Sequence, residues 1–136
     1  MEINAILNTE ESRKSFLTGL LFIAKADGSV DDSECQFFHD AAIAMGIDTD
    51  SINSCWAMEV CPKLNFSSLV QKKFFLREAI QLSFVNDHYA DEEKKLVKHF
   101  AAELGVSDSI VRGLEEWAQR GMVWKREGDD LLLKGD

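Results

Sequence analysis

The sequence predicts an all-α protein: a compact helical bundle of about six to seven helices built from two pseudo-repeated helical hairpins. Apolar residues recur at helical spacing in successive segments, and no segment alternates apolar with polar residues as a half-buried strand does. The second half of the chain repeats the first half with a shift of 59 residues. The length of 136 residues, with 46% apolar and 29% charged residues, is typical of one globular domain.

The first hairpin is predicted from residues 9–25 and the acidic corner that follows them. Asn8 and Glu11 have the spacing of a capping box, and apolar residues then recur every three to four positions. Beyond the corner, a second apolar stripe ends at Gly46, which suits a left-handed C-cap. This stripe consists of Phe37, Phe38, Ala41, Ala42 and Met45.

Four further helices are predicted after this hairpin. Residues 48–60 begin with several potential N-caps and end before Pro62, and residues 67–84 begin with a serine cap. A fifth helix ends at Gly105, and a sixth contains Trp117. We therefore expect a helical domain over residues 1–120.

Residues 121–136 are predicted to form a C-terminal extension of different character. Gly121, Gly128 and Gly135 interrupt two short apolar segments, so a small hairpin and a helical turn are equally supported. We expect Leu131 to Leu133 to pack on the bundle, because large apolar side chains are usually buried. The alternative is that these leucines contact a partner.

The repeat needs no gap. It aligns apolar positions, a glutamate and a glycine turn, as in Phe16 with Phe75, Leu21 with Ile80, Glu34 with Glu93, and Met45-Gly46-Ile47 with Leu104-Gly105-Val106. Its period is longer than those of common helical solenoids, and there are two copies. These facts favour a closed bundle.

Charge and composition exclude several classes of function. The chain has 15 Lys and Arg against 24 Asp and Glu, a net charge of -9, without a basic cluster that could follow a phosphate backbone. We expect no nucleic-acid ligand. No signal peptide and no run of about 20 apolar residues is present, so we expect a cytoplasmic protein without direct membrane insertion. The three cysteines form no C-x-x-C pair and are expected to be reduced thiols.

The acidic corner has two interpretations. Asp27-Gly28 followed by Glu34 matches the second half of an EF-hand loop, but Ile23 and Lys25 occupy the first and third ligand positions, which excludes a standard EF-hand. Asp31 as an N-cap, Asp32 in the first helical turn and a positive φ at Gly28 explain the same residues without a metal. Both interpretations remain open. The candidate ligands for a calcium or magnesium ion are Asp27, Asp31, Asp32, Glu34, Asn86, Asp87 and Glu93.

The chain resembles the TerB-like family, named for tellurite resistance protein B, over about residues 12–118. The resemblance rests on Ala26-Asp27-Gly28 with Glu34 and Met45-Gly46-Ile47, and on Asn86-Asp87 with Glu93 and Leu104-Gly105-Val106. The second half departs from the family pattern because it lacks Asp-Gly. The resemblance implies an all-α bundle with an acidic face able to bind cations, used in bacterial stress response and in assemblies near the membrane.

No motif of an enzyme is present. The sequence contains no G-x-x-x-x-G-K, G-x-S-x-G or H-E-x-x-H, so we expect no catalytic activity. The sequence and the resemblance together predict a stress-response protein-interaction or scaffold domain, whose acidic surface can bind a divalent cation and whose protein partner belongs to a membrane-associated complex. The alternative function is a dedicated calcium- or magnesium-binding regulatory module without a role in tellurite resistance.

Overall fold

The described residues of the computed structural model, 3–26, 28, 30–84 and 91–135, form helices and connecting segments without any strand. The all-α prediction is confirmed. In chain order the elements are α1 (Ile3–Ile6), α2 (Glu10–Lys25), α3 (Asp32–Ala44), α4 (Thr49–Asn53) with the 3-10 helix Ser54–Ala57, α5 (Leu69–Ser83), α6 (Asp91–Leu104) and α7 (Asp108–Leu133).

The centre of the bundle is the packing of α2 against α5. Phe16 of α2 stacks on Phe74 of α5 with ring centroids 5.1 Å apart, and it meets the ring of Phe75 edge to face. Phe75 also packs edge to face on Phe100 of α6 at 5.4 Å. Aromatic pairs of this kind add stabilisation beyond the apolar area they bury. The first helices of the two hairpins therefore share one aromatic core.

The N-terminus of α2 differs from the sequence prediction by one residue. Thr9, not Asn8, is the N-cap: its Oγ1 accepts a hydrogen bond from the Ser12 N–H (3.1 Å), while the Thr9 N–H donates to Ser12 Oγ (3.2 Å). Ser12 therefore completes the capping box in place of Glu11. Ser12 is buried, so both of its polar partners are needed there.

The 59-residue repeat is visible in the backbone. The N-cap Thr9 of α2 aligns with the N-cap Ser68 of α5, and the N-cap Asp48 of α4 aligns with the N-cap Ser107 of α7. Gly46 and Gly105 both have a φ of 71°. Equivalent hydrogen bonds close the two glycine turns, from the Ile47 N–H to the Ala42 carbonyl (2.8 Å) and from the Val106 N–H to the Ala101 carbonyl (2.9 Å). Each half is thus a three-helix unit.

The extended segment between the halves fills a groove of the bundle. Leu64 is 5% exposed and lies beside Gly19 of α2. The Asn65 N–H donates to Ser15 Oγ (2.9 Å), and the ring of Phe66 stacks on Phe75 at 5.5 Å. The segment is therefore part of the core rather than a free linker.

The third helix of each half differs from its prediction. Residues 48–60 do not form one helix: α4 and the 3-10 helix end at Ala57, and Met58 is already extended. In the other half α7 continues through Gly121 and Gly128, so the expected hairpin or single turn over residues 121–136 is wrong. A glycine costs about 1 kcal/mol in a helix interior, which flanking helix formers can outweigh.

Candidate functional site

The acidic corner between α2 and α3 is built from caps. The Asp31 carboxylate accepts hydrogen bonds from the Glu34 N–H (2.8 Å) and from Ser33 Oγ (2.7 Å). These bonds stabilise the charged carboxylate and lower the pKa of Asp31. Gly28 has a φ of 82°, as predicted for the end of α2, and Asp32 is exposed in the first turn of α3. The described residues here therefore have the roles of the metal-free interpretation.

The seven predicted metal ligands are placed only in part. Asp27, Asn86 and Asp87 lie outside the described residues. Glu34 and Glu93 occupy equivalent, half-buried positions in the first turns of α3 and α6. Within residues 3–26, 28, 30–84 and 91–135, no group of three or more His, Cys, Asp or Glu side chains is arranged to hold a metal ion. Divalent-cation binding at this corner remains a prediction.

Lys25 links the end of α2 to the end of the 3-10 helix. Its ammonium donates to the carbonyls of Cys55 (3.1 Å) and Trp56 (3.1 Å), and to the carbonyl of Met58. The charge also lies 4.6 Å from the centre of the Phe22 ring. A cation at a helix C-terminus satisfies carbonyls that have no partner within the helix. Lys25 therefore fixes the position of α4 and the 3-10 helix on the bundle.

The cysteines are free thiols. Cys55 is buried and Cys61 is half-buried, and burial raises the pKa of both, that of Cys61 to about 12. A thiol with a raised pKa is a poor nucleophile and a poor metal ligand near neutral pH. Neither cysteine therefore has the environment of a reactive group.

Four large and highly exposed apolar side chains lie on α7, where it extends past the bundle. Trp124 is 77% exposed, and Leu131 to Leu133 are 73–85% exposed, so the expectation that the leucines pack on the bundle is wrong. Ala118 is the last buried residue of α7, and Met122 is the last one that is half-buried. About 16 Å of helix follows Met122 at 1.5 Å per residue, and every residue of this part, 123–133, is exposed.

We define the α7 stripe as Trp117, Gly121, Trp124, Gly128 and Leu131. Its members alternate steps of four and three residues, so they lie along one face of the helix. Large residues occupy one heptad position and glycines the other. The sequence prediction missed this heptad pattern because it treated Gly121 and Gly128 as residues that end a helix.

Two hollows flank the α7 stripe. The first is an open depression on the surface of α7 itself, bordered by Glu116, Arg120, Trp124 and Glu127. The second, of about 390 Å³, lies between α7 and the end of α5 and is bordered by Trp117, Gly121, Trp124 and Phe84. Arg77 of α5 places its guanidinium 5.8 Å from the Trp117 ring, so the start of the stripe is supported by the bundle. Beyond Met122 all members of the stripe, Trp124, Gly128 and Leu131, are exposed.

A separate apolar groove of about 640 Å³ lies between α2, α3 and α5. Leu20, Phe37 and Phe74 form its walls, and Ile3 of α1 forms part of its rim. Phe37 is 63% exposed, although the sequence places it in the apolar stripe of α3 together with the buried Phe38. The next residue, Phe38, fills the core against Trp56 (5.5 Å), which leaves Phe37 at the edge of the groove.

None of the helices in the described part of the chain is both long and apolar enough to span a bilayer. Comparisons of the chain with protein-family models, with curated proteins and with solved structures found no match. The exposed end of α7 is therefore the feature that indicates a function.

Proposed function

We propose that this chain is a protein-interaction domain whose main contact surface is the part of α7 beyond Met122. The observation that carries the proposal is the exposure of Trp124 (77%) together with Leu131 to Leu133 (73–85%) on a helix that leaves the bundle.

Two physical arguments support this surface. Burying a leucine side chain is worth roughly 1.5 to 3 kcal/mol. A partner that buries the three adjacent exposed leucines would therefore gain a large part of its binding free energy from them. In addition, a helical segment of about three turns without packing is marginally stable in water. A partner that covers the leucines supplies both the apolar burial and the packing that this segment lacks.

The chemistry of the rest of the molecule agrees with a binding role. The net charge of -9 favours association with proteins that carry basic patches. The resemblance to the TerB-like family is the reason for proposing a bacterial stress-response setting. The divalent cation at the acidic corner is a further part of the proposal, supported by the carboxylate-rich sequence of that corner.

A binding experiment with matched variants tests the contact surface. The full chain, immobilised, is used to capture proteins from a lysate of the native host, and the captured protein is identified, purified and titrated against the chain. We expect the triple variant Leu131→Ser, Leu132→Ser, Leu133→Ser to weaken binding at least tenfold, about 1.4 kcal/mol. Val60→Ser is the control, because Val60 is equally exposed but lies between the two halves.

Equal affinities of the wild type and the triple variant for the purified partner would contradict the proposal.

The cation is tested separately by thermal unfolding with and without millimolar calcium or magnesium. We expect binding to raise Tm, and the variant with Asp27→Ala and Glu34→Ala to lose the increase. An unchanged Tm of the wild type removes the cation from the proposal and leaves the contact surface standing.

A further inference from the structure

The glycines of the α7 stripe have no explanation within one chain. A Cβ atom at Gly121 or Gly128 would have no neighbour within 4 Å, and neither residue has a positive φ. Each glycine weakens the helix relative to alanine. Glycine on a helix face permits a close approach of another backbone. The spacing therefore indicates that another helix packs here at short distance.

We propose that the occupant of the α7 stripe is a second copy of this chain, bound through an antiparallel pair of α7 helices. This inference rests on the proposed function and names the partner of the same surface. The pair has two-fold symmetry, so the same residues are used on both copies and the contact closes as a dimer.

The heptad positions define the register of the pair. When the helices cross near residue 123, Trp124 of one copy lies level with Gly121 of the second copy. Trp117 then lies level with Gly128 of the second copy, and Leu131 lies level with Leu114. In each tryptophan layer a large side chain enters the space that a glycine leaves, as knobs enter holes in a coiled coil. The overlap from 114 to 131 is about 27 Å long.

The charges beside the stripe favour a second copy in this orientation. Arg120 and Glu127 lie on the same flank, seven residues apart, and neither makes an ion pair within the residues that the structure describes. In the antiparallel pair Arg120 of each copy lies within about two residues of the level of Glu127 in the other, so two opposite-charge contacts form. In a parallel pair Arg120 would instead face Lys125 and be repelled.

The first test is the oligomeric state of the full chain, measured by sedimentation equilibrium over a range of concentrations. We expect a dimer for the wild type and at least a tenfold larger dissociation constant for Trp124→Ser. Phe37→Ser is the control, because Phe37 is also exposed but lies on α3. Far-UV circular dichroism establishes that each variant is folded. A monomeric wild type, or a Trp124→Ser dimer as tight as the wild type, overturns the proposal.

The second test determines the orientation by exchanging charges. Arg120→Glu and Glu127→Arg each place like charges opposite one another, so each single variant should dimerise at least fivefold more weakly. An equimolar mixture of the two single variants, and the double variant R120E/E127R, should both recover the wild-type association. A dimer that none of these changes weakens contradicts the antiparallel arrangement.

The two proposals can fail separately. If the wild type is a monomer but substitutions at Leu131 to Leu133 still abolish binding of a purified heterologous protein, the further inference is wrong and the proposed function stands. If the dimer forms as described and those leucines contribute to no heterologous complex, α7 is a dimerisation element. In that case the dimer is the only protein contact that this surface makes, and the proposed contact with another protein fails.

Discussion

The two halves of the molecule begin alike and end differently. Both start with a capped helix, α2 or α5, and both close their second helix with a glycine of φ 71°. They differ in what precedes the first helix and in the length of the third helix. The matching N-caps and glycine turns thus give the two halves the same architecture. The segments before the first helix and the third helices differ, and they determine which surfaces of the bundle are exposed.

The segments before α2 and α5 show the first difference. Residues 62–67 align with residues 3–8 in the repeat, and this places Leu64 opposite Ala5. Leu64 is buried in its groove, whereas Ala5 is exposed in the single turn of α1. Glu78 takes the place of Gly19 in the open half. The groove beside Phe37 remains open because its own chain supplies no side chain large enough to close it.

The third helices show the second difference. Lys25 holds the end of α4 and the 3-10 helix through three carbonyls, and its repeat equivalent is Phe84, which has no charge. In the second half α7 is not fixed at its end and continues to Leu133. One unit thus ends against the bundle, and the other extends away from it.

The largest effect that distinguishes the halves is expected at Leu64. Leu64→Ala should lower the free energy of unfolding by about 2 to 5 kcal/mol, because it leaves a cavity between α2 and α5. The equivalent position gives the control: Ala5→Leu should change stability by no more than about 0.5 kcal/mol. Urea unfolding followed by circular dichroism measures both. Similar small changes for the two variants would show that the linker does not fill the core.

A smaller effect is expected where the linker meets α2. A Cβ at Gly19 would lie 2.9 Å from a methyl carbon of Leu64 and closer still to the buried ring of Phe75. Gly19→Ala should therefore cost about 1 to 3 kcal/mol, measured by the same urea titration. Gly113→Ala in α7, where a Cβ meets no atom, should instead stabilise the chain by about 0.5 to 1 kcal/mol. A stabilising Gly19→Ala would mean that Phe75 can move.

The contact that fixes α4 should be worth less than the burial of Leu64. Lys25→Met keeps most of the side-chain volume but removes the ammonium that three carbonyls accept from. We expect a loss of about 1 to 3 kcal/mol in thermal or chemical unfolding. Lys98→Met on the exposed face of α6 is the matched control and should be near neutral. Equal effects of the two variants would assign no special role to Lys25.

The smallest effect is expected at Asp31 and should depend on pH. Its folded pKa is lowered by the hydrogen bonds from Glu34 and Ser33, so its contribution to stability is present above the ordinary value of 3.8 and is lost as the pH falls through the folded pKa. Asp31→Ala should lower Tm by a few degrees at pH 7, and this difference should shrink at pH 3. Asp32→Ala, in the same turn without that cap bond, is the control. A difference that is constant with pH would contradict the charged cap.

The fold was predictable where the sequence carries periodic signals. The apolar spacing predicts α2, α3, α5 and α6 correctly, and Gly46 and Gly105 mark the ends of α3 and α6. The repeat predicts that the two units share a core. These features depend on local preferences that one chain segment already contains.

The candidate site was less predictable because it depends on tertiary context. Residues 121–136 contain glycines that also occur in turns, and only the finished helix shows that they occupy one heptad position. Leu64 has no periodic neighbours, so its burial follows from the groove it enters rather than from its segment. Phe37 and Phe38 are the same residue type, and only packing against Trp56 decides which one faces the core.

The unbroken course of α7 has a mechanical consequence. No turn separates Ala118 from Leu133, so once a partner packs on the exposed end and stabilises it, that end cannot reorient unless the packed end moves with it. A tilt of about 10° at Met122 would displace the tip by roughly 3 Å, given the 1.5 Å rise per residue. A displacement of the C-terminal end of α7 is therefore transmitted along the helix to its packing contact with α5.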